Sequence, residues 1–113
     1  MVRFYRLDDR NCAVELRGEI EYYAWLKGLP KAKRTMIRVI VATDAVRDMF
    51  IGTYFLGSDR YAKDKRCLWQ TIVYDDQRKL ATIEYPSHCD AVAGHKQTVE
   101  IVKSRGGEAK YRR

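Results

Sequence analysis

The pattern of apolar and polar residues is clearest between residues 68 and 103. Residues 68–74, Leu-Trp-Gln-Thr-Ile-Val-Tyr, are rich in the aromatic and β-branched residues that favour a strand. Asp75–Arg78 has the composition of a turn, and Leu80–Tyr85 then predicts a second strand. Pro86 ends that strand, because proline has no backbone N–H to donate. The stretch therefore begins with a predicted hairpin.

A helix is predicted to follow this hairpin. Ser87, with Asp90 three residues later, has the pattern of a capping box at a helix N-terminus. Apolar positions then recur at helical spacing and define one stripe, formed by Ala91, Val92, His95, Val99 and Val102. Because an amphipathic helix buries its apolar side, we expect this stripe to face the sheet.

The earlier part of the chain predicts further strands. Val2–Leu7 is interpreted as a short strand, and Thr35–Ala42 as a longer one with its apolar residues on one face. Thr43–Asp48 is expected to turn the chain. Met49–Gly57 is apolar on both faces, which predicts either a central strand covered on both sides or a contact between copies of the chain, and so a possible dimer.

Residues 12–29 fit two structures. Alternation of apolar side chains with charges favours a strand, whereas helical spacing relates Leu16, Ile20, Tyr23 and Ala24. Lys27–Pro30 contains the glycine, apolar residue and proline that are typical of a helix C-terminus, so we favour a helix. Gly18 would shorten that helix to Glu19–Lys27.

The predicted order is therefore β-α-β-β-β-β-α. Sequential strands with short connections favour an antiparallel sheet, and amphipathic helices can cover one face of it. We predict a two-layer α+β fold with a mainly antiparallel sheet of about five strands and one or two helices packed on one face. Residues 1–104 form the single predicted domain and 105–113 a basic C-terminal tail. The other face of the sheet would still carry aromatic side chains.

Composition narrows the class of protein. The chain has 113 residues, of which 46% are hydrophobic and 33% charged, which is typical of one soluble globular domain. Neither a membrane span nor a secretory signal is apparent, so we expect a cytoplasmic protein with no membrane association. Cys12, Cys67 and Cys89 are widely spaced and are expected to be reduced thiols. No spacing predicts a metal site or a cofactor.

The net charge of +7 favours acidic partners, including nucleic acid. Basic residues around a tyrosine occur in a predicted loop and again in the tail, a combination of stacking rings and phosphate-seeking charges. These candidate binding residues are Arg60, Tyr61, Lys63, Lys65 and Arg66 in the loop, and Lys110, Tyr111, Arg112 and Arg113 in the tail. The alternative is a solvated loop and tail. Tyr22 and Trp25 could instead form a contact with a protein partner, if they lie exposed together.

The middle and end of the chain resemble a family of small, functionally uncharacterised proteins encoded by bacteriophages and prophages. The resemblance covers Phe55–Val99, about half of the chain. Its motif residues are Phe55, Leu56, Gly57 and Asp59, then Leu68–Tyr74 with Trp69, Gln70 and Thr71, then Tyr85, and finally Ala91, Ala93, Gly94 and His95. The family usually has Asp-His at Asp59-Arg60 and Trp-Glu-Thr at Trp69–Thr71. The resemblance implies a phage accessory protein acting in the host cytosol, and it implies no reaction.

His95 is the residue that most invites a chemical interpretation. It lies in the middle of the helical stripe beside Gly94, whose missing side chain would let helix and sheet approach closely. We expect a buried packing histidine bonded to the sheet, with Gln70 and Thr71 as partners. Because no catalytic motif accompanies it, an enzyme is not predicted. We expect a non-enzymatic binding module acting on a host or phage macromolecule, for example as a modulator of antiviral defence, with nucleic-acid binding as the alternative.

Overall fold

The computed structural model describes residues 1–76, 78–104 and 111, and within them the chain forms two antiparallel sheets and two α-helices. In chain order the elements are β1 (Tyr5–Leu7), β2 (Ala13–Glu15), α1 (Glu19–Lys27), a short 3-10 helix (Lys31–Lys33), β3 (Val39–Val46), β4 (Met49–Phe55), β5 (Trp69–Asp75), β6 (Arg78–Tyr85) and α2 (His88–Lys103). The α+β fold predicted from the sequence is confirmed.

Strands β3 to β6 form the main sheet, in which each strand pairs with the next along the chain. This places β4 and β5 at the centre, and Ile51 and Val73 within them are fully enclosed. Arg47 and Asp48 join β3 to β4 in a tight turn in which Arg47 has a positive φ of 57°. Strand β4 is therefore central, but it is not covered on both sides, because Ile51 faces α2 whereas Phe50 on the opposite face is 39% exposed. The alternative interpretation of residues 49–57, a contact between copies of the chain, stays a prediction.

The structure differs from the sequence prediction at the start of the chain. Strands β1 and β2 form a separate two-stranded hairpin instead of extending the main sheet, which has four strands. Both interpretations of residues 12–29 are correct, each on its own segment: a strand precedes Gly18 and helix α1 follows it, with the bounds Glu19–Lys27. The predicted turn at Thr43–Asp48 begins too early, because β3 continues through Val46 and only Arg47 and Asp48 turn the chain.

Helix α2 covers one face of the main sheet. The Ser87 hydroxyl accepts a hydrogen bond of 3.1 Å from the backbone N–H of Asp90, so Ser87 is the helix N-cap, as expected. Val99 and Val102 pack with Met49, Ile51 and Val73 in one part of the core. Gly94 lies against the ring of Tyr85, where a Cβ atom would be only 2.2 Å from the nearest ring carbon. The missing side chain thus sets the distance between helix and sheet.

The N-terminal segment is fastened to the chain that follows β4. The backbone N–H of Tyr5 donates to the carbonyl of Gly57 at 2.8 Å, and the N–H of Arg3 donates to the Asp59 carboxylate at 2.9 Å. Tyr22 of α1 is buried, and its hydroxyl donates to the carbonyl of Ile37 at 2.7 Å. These contacts join the N-terminal hairpin to the segment after β4, and they join α1 to the segment before β3.

Across the described part of the chain, neither helix combines the length and the apolar character that crossing a membrane requires.

Candidate binding surface

The strongest chemical candidate of the sequence, His95, lies in a network of hydrogen bonds that is buried except at Asp44. Its Nδ1 is 2.7 Å from the Thr53 hydroxyl, and its Nε2 is 2.7 Å from a carboxylate oxygen of Asp44. The Thr53 hydroxyl is in turn 2.5 Å from that of Thr71. An ionised carboxylate can only accept, so Nε2 donates to Asp44. In the neutral ring Nδ1 then accepts from Thr53. Each of the four side chains Asp44, His95, Thr53 and Thr71 thus has a hydrogen-bond partner.

This order of hydroxyl, imidazole and carboxylate resembles a hydrolytic triad, but access decides its role. Thr53 and Thr71 have no exposed surface, and His95 is 3% exposed. A substrate could not reach either hydroxyl without opening the interface between α2 and the sheet. What the chain of bonds can do is fix the position of α2 across β3, β4 and β5, which is a structural role.

The sequence prediction for the partners of His95 is partly wrong. Thr71 belongs to the chain of bonds, although one step removed, and Gln70 does not. Neighbouring residues in a strand point to opposite faces, so Gln70 lies on the side away from α2 and donates to Glu84 at 2.9 Å. Thr53 and Asp44 are the direct partners, and both had been missed.

The loop between β4 and β5 is held by its own charged groups. Arg66 makes two hydrogen bonds to the Asp64 carboxylate, at 3.0 and 3.1 Å, and the Lys65 ammonium donates to the carbonyl of Asp59 at 2.5 Å. Asp59 itself is buried and accepts from Arg3. Lys65 and Arg66, both predicted to bind phosphates, are therefore engaged within the protein. Asp59 is a structural anchor.

Glu84 of β6 fastens this loop to the main sheet. Its carboxylate accepts from the backbone N–H groups of Lys63 and Asp64, at 2.9 and 3.1 Å, in addition to the Gln70 amide. Partial burial pushes the pKa of Glu84 upward, but the hydrogen bonds from Asp64, Lys63 and Gln70 outweigh burial and hold the pKa below its ordinary value of 4.5. The ionised carboxylate of Glu84 thus stabilises the position of the loop.

We expect this attachment to weaken in acid. Because the pKa of Glu84 is lowered by folding, its contribution to stability is complete above about pH 4.5 and is lost as the pH falls through the folded-state pKa. The amide protons of Lys63 and Asp64 should then titrate together in NMR spectra recorded between neutral and acidic pH.

The matched variant for that titration is Glu84→Gln, which keeps one acceptor oxygen and cannot ionise. Its Lys63 and Asp64 amide shifts should lack the acidic transition. A transition that persists in Glu84→Gln would assign the titration to another carboxylate and would contradict this role for Glu84.

The face of the main sheet opposite α2 is here called the open face. Since Thr53 contacts His95 on the helix side, strand alternation places Phe50 and Tyr54 on the open face, together with Gln70, Ile72 and Tyr74 of β5. A groove of about 450 Å³ crosses it, and its margins carry Arg38, Lys63 and Lys79. Within the part of the chain that the structure describes, no helix packs on this side of the sheet.

Three aromatic side chains are contiguous on the open face. The rings of Phe50 and Tyr74 are cross-strand neighbours with centroids 6.3 Å apart, and the Tyr54 ring lies over Gly52, where a Cβ would meet its hydroxyl at 2.2 Å. Burial raises the pKa of Tyr54, the neighbouring Tyr74 hydroxyl adds to this rise, and the charge of Arg38 opposes it. Arg38, Tyr54 and Tyr74 line one shallow pocket.

Cationic groups surround these rings, and the described part of the chain gives them no carboxylate partner. Among residues 1–76, 78–104 and 111, no ion pair or side-chain hydrogen bond engages the charged heads of Arg38, Lys63 and Lys79. Tyr61 stands at the rim of the same groove and is 61% exposed. Of the predicted loop residues, Tyr61 and Lys63 thus belong to the open face, and Arg60 is exposed close to them.

The other predicted site residues lie elsewhere. Tyr22 is buried and Trp25 half-buried against Phe55, with ring centroids 6.4 Å apart, so the two do not form an exposed pair. Trp69 is enclosed in the core. Tyr111 is half-buried and packs on the core beneath α2, and burial raises its pKa. Lys110, Arg112, Arg113 and the remaining tail residues 105–109 lie outside the described residues.

Sequence reasoning missed the residues that define the open face. Phe50, Tyr54 and Tyr74 could have been found from the alternation of β4 and β5, because they occupy the positions between those that face α2. No local signal marks Arg38, which reaches the groove from the segment before β3.

Comparison of the chain with protein-family models, with curated proteins and with solved structures finds no match.

Proposed function

We propose that this chain is a non-enzymatic binding module that presents the open face of its main sheet to a macromolecule. The observation that carries the proposal is the clustering of exposed and half-exposed rings with cations that no carboxylate neutralises in the described residues. Aromatic and arginine side chains are enriched among the residues that contribute most of the energy of a binding surface. The aromatic rings bury a large area at a low cost in conformational entropy, because only two side-chain torsions are fixed.

The enclosure of the His95 bonds supports a binding role over a catalytic one. A general base must reach its substrate, and Thr53 at the end of this chain of bonds is fully buried. The resemblance to phage-encoded proteins extends the proposal to a partner from the host or the phage. A component of antiviral defence in the host cytosol is one such partner.

Capture experiments with paired variants test this proposal. The open-face variant combines Arg38→Glu with Phe50→Ala, and the control combines Lys96→Glu on α2 with Ile20→Ala on α1. Both variants reverse one charge and remove one exposed apolar side chain, since Phe50 is 39% and Ile20 88% exposed. Each protein is tagged and incubated with bacterial lysate, with and without nuclease treatment, after circular dichroism has confirmed folding.

The proposal expects a stoichiometric partner that the native chain and the control variant retain and the open-face variant loses. Retention of the same partner by the open-face variant would place the contact surface elsewhere. Recovery of no partner under any condition, nucleic acid included, would contradict the binding role itself.

A further inference from the structure

We infer that the open face binds single-stranded nucleic acid, with bases stacked on Tyr54, Tyr74 and Tyr61 and phosphates held by Arg38, Lys63 and Lys79. This inference rests on the proposed function, because it names the class of partner for the same surface. It also moves the nucleic-acid site that the sequence predicts from the basic loop and tail to the open face, and of the loop it keeps Tyr61 and Lys63.

The rings are arranged as a platform. Phe50 and Tyr74 are neighbours on adjacent strands with their ring planes inclined by 44°, Tyr54 lies over the backbone at Gly52, and Tyr61 lines the groove from the loop. Flat rings supported from below by a sheet can stack on unpaired bases of any sequence, because every base has an aromatic face. Neighbouring strands lie about 4.8 Å apart, so the four strands of this face span room for roughly two or three extended nucleotides.

The charges favour nucleic acid over a protein. Arg38, Lys63 and Lys79 surround the groove. Among the described residues the carboxylate that lines it is Glu84, which already accepts from the Lys63, Asp64 and Gln70 donors. The net charge of the whole chain is +7. A rim of cations around aromatic rings complements a phosphate backbone carrying splayed bases, whereas the centre of a protein interface is generally depleted of charge.

The exposed rings also favour a single strand over a duplex. A duplex keeps its base faces stacked inside the helix, so it could offer the open face only phosphates and groove edges. The rings would then contribute nothing to affinity. Binding that depends on Tyr74 as a ring, and not merely as an apolar side chain, therefore separates a single strand from a duplex.

The test measures fluorescence anisotropy of labelled 12-nucleotide DNA, RNA of the same sequence and the corresponding DNA duplex, with the full chain at two salt concentrations. Tyr74→Leu should weaken single-strand binding about tenfold, and Tyr74→Phe should leave it nearly unchanged, because only the first removes the ring. Arg38→Gln should reduce the slope of log affinity against log salt by about 0.7. Lys96→Gln, at an exposed position of α2 and away from the open face, is the charge-matched control. It should leave the affinity for the single strands unchanged.

Other outcomes overturn the inference. A duplex bound as tightly as the single strand, with Tyr74→Leu indistinguishable from the native chain, would show contact with phosphates alone. If no oligonucleotide binds, the inference fails. The proposed function survives that failure only if a nuclease-resistant protein partner is captured and then lost in the variant combining Arg38→Glu with Phe50→Ala. Should Tyr74→Leu not fold, Lys63→Gln combined with Lys79→Gln, both at exposed positions, replaces it. That variant should lower affinity and salt slope together.

Discussion

Gly57→Ala is expected to lower the free energy of unfolding by about 2–5 kcal/mol. Gly57 has a positive φ of 75°, which L side chains rarely adopt. In addition, a Cβ at this position would lie 2.1 Å from the ring of Tyr22, which is buried and anchored through its hydroxyl to Ile37. The ring cannot yield without breaking that bond, so backbone strain and overlap add.

Chemical denaturation of the purified protein measures this effect, with Gly18→Ala as the matched control. Gly18 has an extended backbone, and a Cβ there would meet no atom within 4 Å. The control should change the free energy of unfolding by less than about 1 kcal/mol, because the entropy that alanine removes from the unfolded chain opposes the preference for glycine at the N-cap of α1. Equal free energies of unfolding for the two variants would contradict the close packing of Tyr22 on Gly57.

His95→Ala is expected to cost about 1–3 kcal/mol of stability. The substitution leaves a cavity between α2 and the sheet, and it removes the bonds from the ring to Thr53 and Asp44. Thr53 keeps Thr71 as a partner, and Asp44 is half-exposed and can bind water instead. The loss in the free energy of unfolding should therefore be smaller than for a buried charge that is left without a partner.

A double-mutant cycle with Asp44→Ala separates packing from hydrogen bonding. If the bond between Nε2 and the Asp44 carboxylate stabilises α2, the loss for the two substitutions together should be smaller than the sum of the single losses. Lys96→Ala, at an exposed position of the same helix, controls for changes in helix propensity. An unchanged melting temperature for His95→Ala would overturn the structural role of the imidazole.

Helix α2 could be predicted from the sequence because its signals are local. A cap at Ser87, the acid at Asp90 and a stripe with helical spacing all lie within one stretch of chain. The hairpin of β5 and β6 could be predicted for the same reason, because strand composition and turn residues follow each other directly in the sequence.

What could not be predicted depends on contacts between distant residues. The bulge in β3 between Ile40 and Ala42 shifts the register, and only that shifted register brings Asp44 to His95, which is 51 positions away. Likewise, β1 pairs with β2 and not with the main sheet. The apolar pattern of β1 does not identify its partner, because several strands have a similar pattern. Thr43 and Asp44 have turn-like composition, yet the positive φ of Arg47 marks the actual turn.

The attachment of the N-terminal segment to the end of β4 has a consequence for the order in which the chain folds. Strands β3 to β6 form by successive hairpins, so each new pairing closes only a short loop. The bond between the N–H of Arg3 and the Asp59 carboxylate spans 56 residues and gains nothing until β4 is in place. Strands β3 to β6 should therefore assemble first through local pairings. We expect β1, β2 and α1 to dock onto the main sheet in a later step and to leave it earliest on unfolding.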